Sequence, residues 1–475
     1  MDKVLTPDLC VIGAGSGGLS VAAGAAQLGA SVVLIEKHKM GGDCLNYGCV
    51  PSKSLLAAAK RAQAMRDAGP FGIKAVEPGI DHRLVNDHVK SVIAAIAPND
   101  SVERFTGLGV QIILGPGTFK DKSTVVVNDI EIKARRFIIA TGSSPAIPPV
   151  PGIDKVPYFT NETIFDVNYR IAHLIIIGGG PIGLELAQAH RRLDSEVTVL
   201  EAQTALSRDD PELATVAVER LRTEGVRILE NARVERLEPF GQKVQVVFNK
   251  DGRPYSIEGT HLLVATGRRP NVEGLNLEAA GIKFDRGGIA VNSGLKTSNK
   301  RIYAIGDVAG GLQFTHVAGY HANVVVKNAL FRIPARADHS GLPRVTFTEP
   351  ELAQVGLTEA DARKKHGARI RILRWPNHEN DRAQAERTTE GFVKVIVSKS
   401  GRILGAGAVG AHAGETIQLW SLAMQGKINI RAMASYVAPY PTLSEVNKRA
   451  AVTYFLPSLT NPLIRRVIGL LARLG

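Results

Sequence analysis

Cysteine is scarce in this sequence: 475 residues hold three. That count excludes a secreted fold stapled by disulfides, since such frameworks need several cysteine pairs. Long apolar runs are missing too. None reaches the roughly 18–20 residues needed to cross a bilayer, so no membrane span is expected. The opening, Met1-Asp2-Lys3-Val4-Leu5-Thr6-Pro7, runs straight into a strand and leaves no room for a signal peptide. The cytoplasm is the expected compartment. Aromatic residues make up only 5%, and the 44% hydrophobic and 22% charged residues are the balance of an ordinary globular chain. Acidic charge is in deficit, with 45 Asp and Glu against 58 Lys and Arg, a net +13. The basic residues are scattered and no nucleic-acid motif accompanies them, so no nucleic-acid partner is expected. The excess reads as solvated surface with a bias toward anionic ligands. At about 150 residues per domain the length suggests roughly three domains.

Two of the cysteines lie five residues apart in Gly41-Gly42-Asp43-Cys44-Leu45-Asn46-Tyr47-Gly48-Cys49-Val50-Pro51-Ser52-Lys53, at the start of a breaker-free helix expected over Pro51 to Arg66. A thiol is a good nucleophile only as its thiolate, and a helix N-terminus with a nearby cation lowers its pKa. Cysteines at this spacing can bridge, bind metal or simply pack as small hydrophobes. A metal site needs further Cys or His at ligand spacing, and none lies near, so no metal site is expected. The glycines allow a tight turn and a close approach to another group.

Upstream, Leu9 to Gly18 reads L-C-V-I-G-A-G-S-G-G, an apolar strand followed by Gly13, Gly15 and Gly18. A helix over Leu19 to Leu28 and a strand over Ser31 to Ile35, ending in Glu36, complete a dinucleotide-binding βαβ fingerprint. Gly13 makes the turn, Gly15 admits the pyrophosphate, Gly18 permits helix–strand packing, and Glu36 is placed for ribose hydroxyls. Cys10, inside that strand, reads as core. Phe71 to Asn99 is largely helical and Val110 to Val127 reads as strands. Phe137 to Gly142 is a buried strand ending in Thr141-Gly142, and the proline-rich exit at 145–151 marks a domain boundary.

A second fingerprint follows. His173 to Gly183 carries Gly178, Gly180 and Gly183, then a helix over Ile182 to Arg192 and a strand over Glu196 to Leu200, ending in Glu201. Leu262 to Asn271 repeats the Ala-Thr-Gly strand end with Gly267, an internal echo of one fold used twice. Two such sites mean two dinucleotides, or a duplication with one site idle.

The cysteine segment closely resembles the redox-active disulfide motif of the class I FAD-dependent pyridine nucleotide-disulfide oxidoreductases, which include dihydrolipoamide dehydrogenase, glutathione reductase and mercuric reductase. The resemblance covers nearly the whole chain. It implies an α/β fold of two Rossmann-like dinucleotide-binding domains plus a C-terminal α+β dimerisation domain: an FAD domain over 1–150, an NAD(P)H domain over 151–271, a central segment over 272–340 completing the FAD domain, and an interface domain over 341–475. FAD then belongs to the first fingerprint, with Gly42, Thr141 and Gly142, and the nicotinamide nucleotide to the second, with Gly267. Asp307, in Gly306-Asp307, corresponds to the aspartate on the ribityl chain, and His316 to a position beside the flavin. His316 also reads as a helix-end histidine bonded to backbone. Cys44 is implied as the interchange thiol, Cys49 as the thiolate facing the flavin, and Lys53 with Glu185 as an ion pair near the flavin, or a structural one. Glu201 would accept from a ribose 2′-hydroxyl and repel a 2′-phosphate, which favours NADH; Arg208 keeps NADPH open.

The sequence departs from the family at one informative place. Disulfide reductases of this class carry His-Pro-Thr near the C-terminus with a Glu beyond it, an acid/base pair that reaches the partner subunit's disulfide. Here the residues are Tyr440-Pro441-Thr442 and Glu445. Tyrosine, with a reference pKa of roughly 10, donates a proton but is a poor base at neutral pH, so efficient oxidation of dihydrolipoamide is not expected unless His378 or His412 serves instead. Pro-Tyr at this place is similar to mercuric reductase, but the vicinal C-terminal cysteines that deliver metal to that enzyme have no counterpart after Cys49. The expected activity is NAD(P)H-dependent reduction of a disulfide, an oxidised thiol species or a soft metal ion by a homodimer. The alternatives are a dihydrolipoamide dehydrogenase-like enzyme and a docked flavin electron carrier. The docking reading rests on Asn461 to Leu474, a short basic apolar helix candidate suited to an anionic membrane, a partner, or packing on its own protein or across a dimer.

Overall fold

The computed structural model describes residues 3–459 and 461–473. The chain forms two compact units: residues up to Ala202 with Asn231–Asp338, and Gln203–Glu230 with residues from 339 onward.

The first unit holds a five-stranded parallel sheet in the order Ile302–Ala304, Arg136–Ile139, Leu9–Ile12, Val32–Glu36, Val110–Leu114. Parallel strands are covered on both faces and therefore read as continuous apolar runs. Leu9 and Val11 enter one core with Leu34 and Ile138, while Cys10 and Ile12 enter the other with Val33, Ile35 and Phe137. Each such side chain fully buried contributes roughly 1.5–3 kcal/mol. Cys10 is wholly buried, and burial pushes its thiol pKa up. It is core, as its strand position suggested.

A second parallel set aligns Glu196–Leu200, His173–Ile177 and His261–Val264. The two nucleotide folds repeat at atomic detail. A Cβ on Gly13 would lie 2.4 Å from the Ala140 oxygen, and one on Gly178 would lie 2.4 Å from the Ala265 oxygen; both glycines have positive φ. Beyond each Ala-Thr-Gly the chain extends, and these extensions pair with each other. Ser143–Pro145 runs antiparallel to Arg268–Pro270, with Arg268 opposite Pro145 and Pro270 opposite Ser143. The echo in the sequence is thus a physical clasp between the folds.

The first helix spans Ser16–Gln27, three residues earlier than Leu19. Gly18 is required in its first turn because a Cβ there would strike the Gly13 oxygen at 1.9 Å. The cysteine stretch also begins its helices early, with a short Gly42–Asn46 helix and then Cys49–Arg66.

The second unit is built on a five-stranded antiparallel sheet in the order Pro343–Thr346, Glu351–Gly356, Ile403–Gly410, Phe392–Ser398, Ile370–Pro376. Helices Gln418–Gln425 and Glu445–Val452 meet where Trp420, wholly buried, donates its indole N–H to Asn447 Oδ1 at 2.6 Å. Helix Pro211–Thr223 belongs to this unit. The tail forms helix Pro462–Leu471, and Leu474 lies outside the described residues. Among the described residues no helix is long and apolar enough to cross a membrane.

Candidate active site

Cys49 is the first residue of helix Cys49–Arg66, behind Gly48, and Cys44 sits in the short helix before it. The turn between them needs Gly48, where a Cβ would lie 2.7 Å from Asp43 Oδ2. Both cysteines are free thiols; Cys49 is exposed and Cys44 half-buried. Thr315 Oγ1 lies 3.4 Å from Cys49 Sγ.

That geometry makes the pair asymmetric. The hydrogen bond from Cys44 draws the Cys49 pKa down to about 6, with help from Thr315 and the Lys53 ammonium and against desolvation and Asp43. The same hydrogen bond, desolvation and the neighbouring thiolate push Cys44 up. Cys49 is therefore the sulfur that ionises first, while Cys44 keeps its proton.

Lys53 comes one helical turn after Cys49 and pairs with Glu185 on helix Pro181–Arg192, Nζ to Oε2 at 2.6 Å. Glu185 is only 6% exposed at its side chain, while Lys53 is 36% exposed and remains open to solvent. The far end of the cysteine helix is tied to the same segment. Arg66 donates to the Arg192 carbonyl at 2.8 Å and to Asp194 Oδ1 at 2.7 Å. The cysteine helix is therefore held at both ends by the second nucleotide fold.

The first glycine turn fits FAD. Helix Ser16–Gln27 starts at Gly15 with no side-chain cap, which leaves its N-terminal end to an anion. Gly15 and Gly42 approach so closely that a Cβ on Gly42 would lie 2.7 Å from Gly15 Cα. A cradle of bare backbone is what a pyrophosphate requires. Glu36, buried, accepts from Ala14 N and His38 N, both at 2.7 Å, so it also builds the turn. The second fold repeats this: Glu201 Oε2 accepts from Gly179 N at 2.7 Å. Gly180 has open space around its Cα, and Gly183 abuts the Gly178 oxygen. Gly267 has a positive φ and open space at the strand end. Arg208 lies in the other unit.

Thr141 donates its hydroxyl to the Asn271 carbonyl at 2.8 Å, and Gly142 follows with φ +67°. Asp307 is partly buried and accepts from Ser143 Oγ at 2.6 Å; desolvation raises its pKa. His316 is exposed, its ring stacked on Phe314 at 5.4 Å. In the second unit, Tyr440 is 68% exposed and donates its hydroxyl to Asp381 Oδ2 at 2.8 Å. That carboxylate holds the phenol proton and raises the Tyr440 pKa. Glu445 pairs with Arg449 at 3.0 Å.

Three residues without a sequence-level assignment join the site. Thr315 stands beside the one histidine singled out from its segment. Arg268 donates to Ser143 Oγ at 2.8 Å and pairs with Asp43 Oδ1 at 3.0 Å, linking the strand clasp to the residue before Cys44. Asn161 donates to the same Asp43 oxygen at 3.2 Å. A signal for Arg268 lay in the echo itself, where Ala-Thr-Gly-Ser-Ser-Pro becomes Ala-Thr-Gly-Arg-Arg-Pro.

Comparison with known proteins shows the family. The pyridine nucleotide-disulphide oxidoreductase family model matches residues 7–322, and the dimerisation domain of the same family matches 342–451. The chain therefore belongs to the class I pyridine nucleotide-disulfide oxidoreductases and is an NAD(P)H-dependent FAD enzyme. A mercuric reductase of Lysinibacillus sphaericus is 35% identical over 450 residues, 94% of this chain and 82% of that one. A dihydrolipoyl dehydrogenase of Staphylococcus aureus is 36% identical over 466 residues, covering 95% and 97%. Among solved structures, LpdA of Mycobacterium tuberculosis superposes with TM-score 0.86 at 29% identity, covering 94% and 99%. The Cu(II) complex of the HOCl-induced flavoprotein disulfide reductase RclA of Escherichia coli gives 0.83 at 29%, covering 93% and 98%.

Proposed function

We propose that this enzyme passes electrons from NADH to a small disulfide, an oxidised thiol species or a soft metal ion through Cys44 and Cys49. Gly13, Gly15, Gly18, Glu36, Gly42, Thr141, Gly142, Asp307 and His316 would hold FAD, which when bound would supply the two-electron link between the nicotinamide nucleotide and the Cys44–Cys49 disulfide. Lys53 and Glu185 fix the cysteine helix, and the Lys53 charge favours the Cys49 thiolate. Transfer of the proton from Cys44 to Cys49 makes Cys44 the nucleophile. Its thiolate attacks the external disulfide, forming a mixed disulfide and releasing one thiolate. Cys49 loses its proton to that leaving group and attacks Cys44 Sγ. The enzyme disulfide closes and the second thiolate leaves, so one disulfide yields one thiol and one thiolate. Tyr440 and Glu445, acting from the partner subunit of a homodimer, protonate that thiolate. The division at 150, 271 and 340 into FAD, NAD(P)H, central and interface segments belongs to the same reading.

The observation that carries the direction is Tyr440, whose proton is held by Asp381. A phenol that stays protonated at neutral pH cannot remove a proton from an incoming dithiol, as the oxidative direction requires. The names of the relatives point to acceptors of both kinds, mercuric ion for one and a disulfide for another, and one neighbour's structure holds Cu(II). NADH is favoured by Glu201, whose carboxylate would repel a 2′-phosphate; a Glu201→Ala variant should narrow the NADH-over-NADPH ratio in kcat/KM.

The test is a steady-state comparison of NADH-driven reduction of glutathione disulfide, lipoamide, Hg(II) and Cu(II) against NAD-driven oxidation of dihydrolipoamide. At least one acceptor should turn over about 100-fold faster than dihydrolipoamide, and Tyr440→His should raise the oxidative rate by roughly tenfold or more. Rapid dihydrolipoamide oxidation by the unaltered enzyme would show that the direction is wrong.

A further inference from the structure

Helix Pro462–Leu471 lies beyond residue 451, where the match to the family's dimerisation domain stops. It carries its own start signal: Pro462 stands in the first turn, and the Asn461 side chain accepts from Leu463 N at 2.9 Å. All of its residues are exposed, including Leu463 at 66%, Ile468 at 59% and Leu470 at 60%. A C-terminal helix packed on its own protein would have this stripe covered.

The side chains are fully segregated. At 3.6 residues per turn, Leu463, Ile464, Val467, Ile468, Leu470 and Leu471 fall in one arc of about 160°, and Arg465, Arg466 and Gly469 fall opposite, with Arg473 continuing their row. Residues 446–475 contain Lys448, Arg449, Arg465, Arg466 and Arg473 and no Asp or Glu. An amphipathic helix with an aliphatic face and a purely cationic polar face is complementary to an anionic lipid surface. Apposing the stripes of two copies would bring their arginine rims together, and like charges repel.

We propose that helix Pro462–Leu471 is an interfacial anchor that seats the enzyme on an anionic membrane surface. The aliphatic arc enters the boundary between headgroups and acyl chains, and Arg465, Arg466 and Arg473 meet the lipid phosphates. The anchor is independent of the acceptor assigned to Cys44, because it uses no residue of the redox site.

The test is co-sedimentation of the full-length, FAD-loaded protein with phosphatidylglycerol–phosphatidylcholine vesicles and with phosphatidylcholine alone. The protein should pellet with the anionic vesicles at low salt, remain in solution with phosphatidylcholine, and be released by added salt. Arg465→Gln with Arg466→Gln should weaken binding roughly thirtyfold, and Val467→Asp with Ile468→Asp should abolish it. Both variants should keep their flavin absorbance and NADH oxidation rate. Absence of pelleting with anionic vesicles at low salt would overturn the anchor, as would undiminished pelleting of the Val467→Asp, Ile468→Asp variant. Dissociation of that variant into monomers in sedimentation velocity would also overturn it, because the stripe would then be a subunit contact.

Discussion

Cys49 differs from an ordinary surface thiol in three local ways: it accepts from Cys44, it lies 3.4 Å from the Thr315 hydroxyl, and it sits one turn before Lys53. Its pKa lies below the usual thiol value, so the thiolate is present from about pH 6 upward and is lost as pH falls below that. Alkylation of the reduced enzyme by iodoacetamide, followed by mass spectrometry, should give a Cys49 rate with its inflection near pH 6. Lys53→Met and Thr315→Val should each move the inflection upward, since each removes a group that favours the thiolate. Of this arrangement, the cysteines, Lys53 and Glu185 were legible in the sequence, because the spacing of a motif preserves helical geometry. Thr315 and Asn161 were not, and Arg268 showed only as the residue that replaces Ser143 in the echo, with its partner hidden. They reach the cysteine loop across 118 or more residues of chain, as the Asn161–Asp43 bond does, and local pattern carries no trace of such contacts.

Among the elements, the two glycine fingerprints were readable down to single residues, because steric exclusion at Gly13, Gly18, Gly178 and Gly183 leaves no other side chain. Helix starts were less so: the first helix begins at Ser16 because its glycine-rich first turn is held by packing on Gly13 rather than by propensity. Helix Pro211–Thr223 carries a feature that the sequence hid. Its N-cap, Asp210, is buried with Lys394, Nζ to Oδ2 at 2.9 Å, and Lys394 also meets Glu359 at 2.7 Å and Glu212 at 3.2 Å. Lys394 lies in strand Phe392–Ser398 and its side chain is 2% exposed, so this network fastens helix to sheet. Removing the cation leaves the buried Asp210 carboxylate without its ion-pair partner, while Glu212 and Glu359 keep Arg374, and Lys394→Met should cost about 3–5 kcal/mol. Differential scanning calorimetry would register that as a lower melting temperature at unchanged flavin content.

For the whole molecule, duplication is the organising fact. One nucleotide fold presents its glycine turn to the cysteine loop, and the other supplies Glu185, Arg268 and the carbonyl of Arg192 to hold that loop and its helix. The acceptor is the part that the chain's pattern does not encode, because it depends on what meets Cys44 rather than on what builds it. The central claim, that reducing equivalents from NADH reach this cysteine pair, is tested most directly by counting thiols. The oxidised holoenzyme is treated anaerobically with one equivalent of NADH, quenched in denaturant with iodoacetamide and digested. Cys44 and Cys49 should pass from unlabelled to labelled together, while Cys10 is labelled equally before and after. Oxidation of NADH with no new label on Cys44 or Cys49 would contradict it and leave the flavin as the terminal carrier.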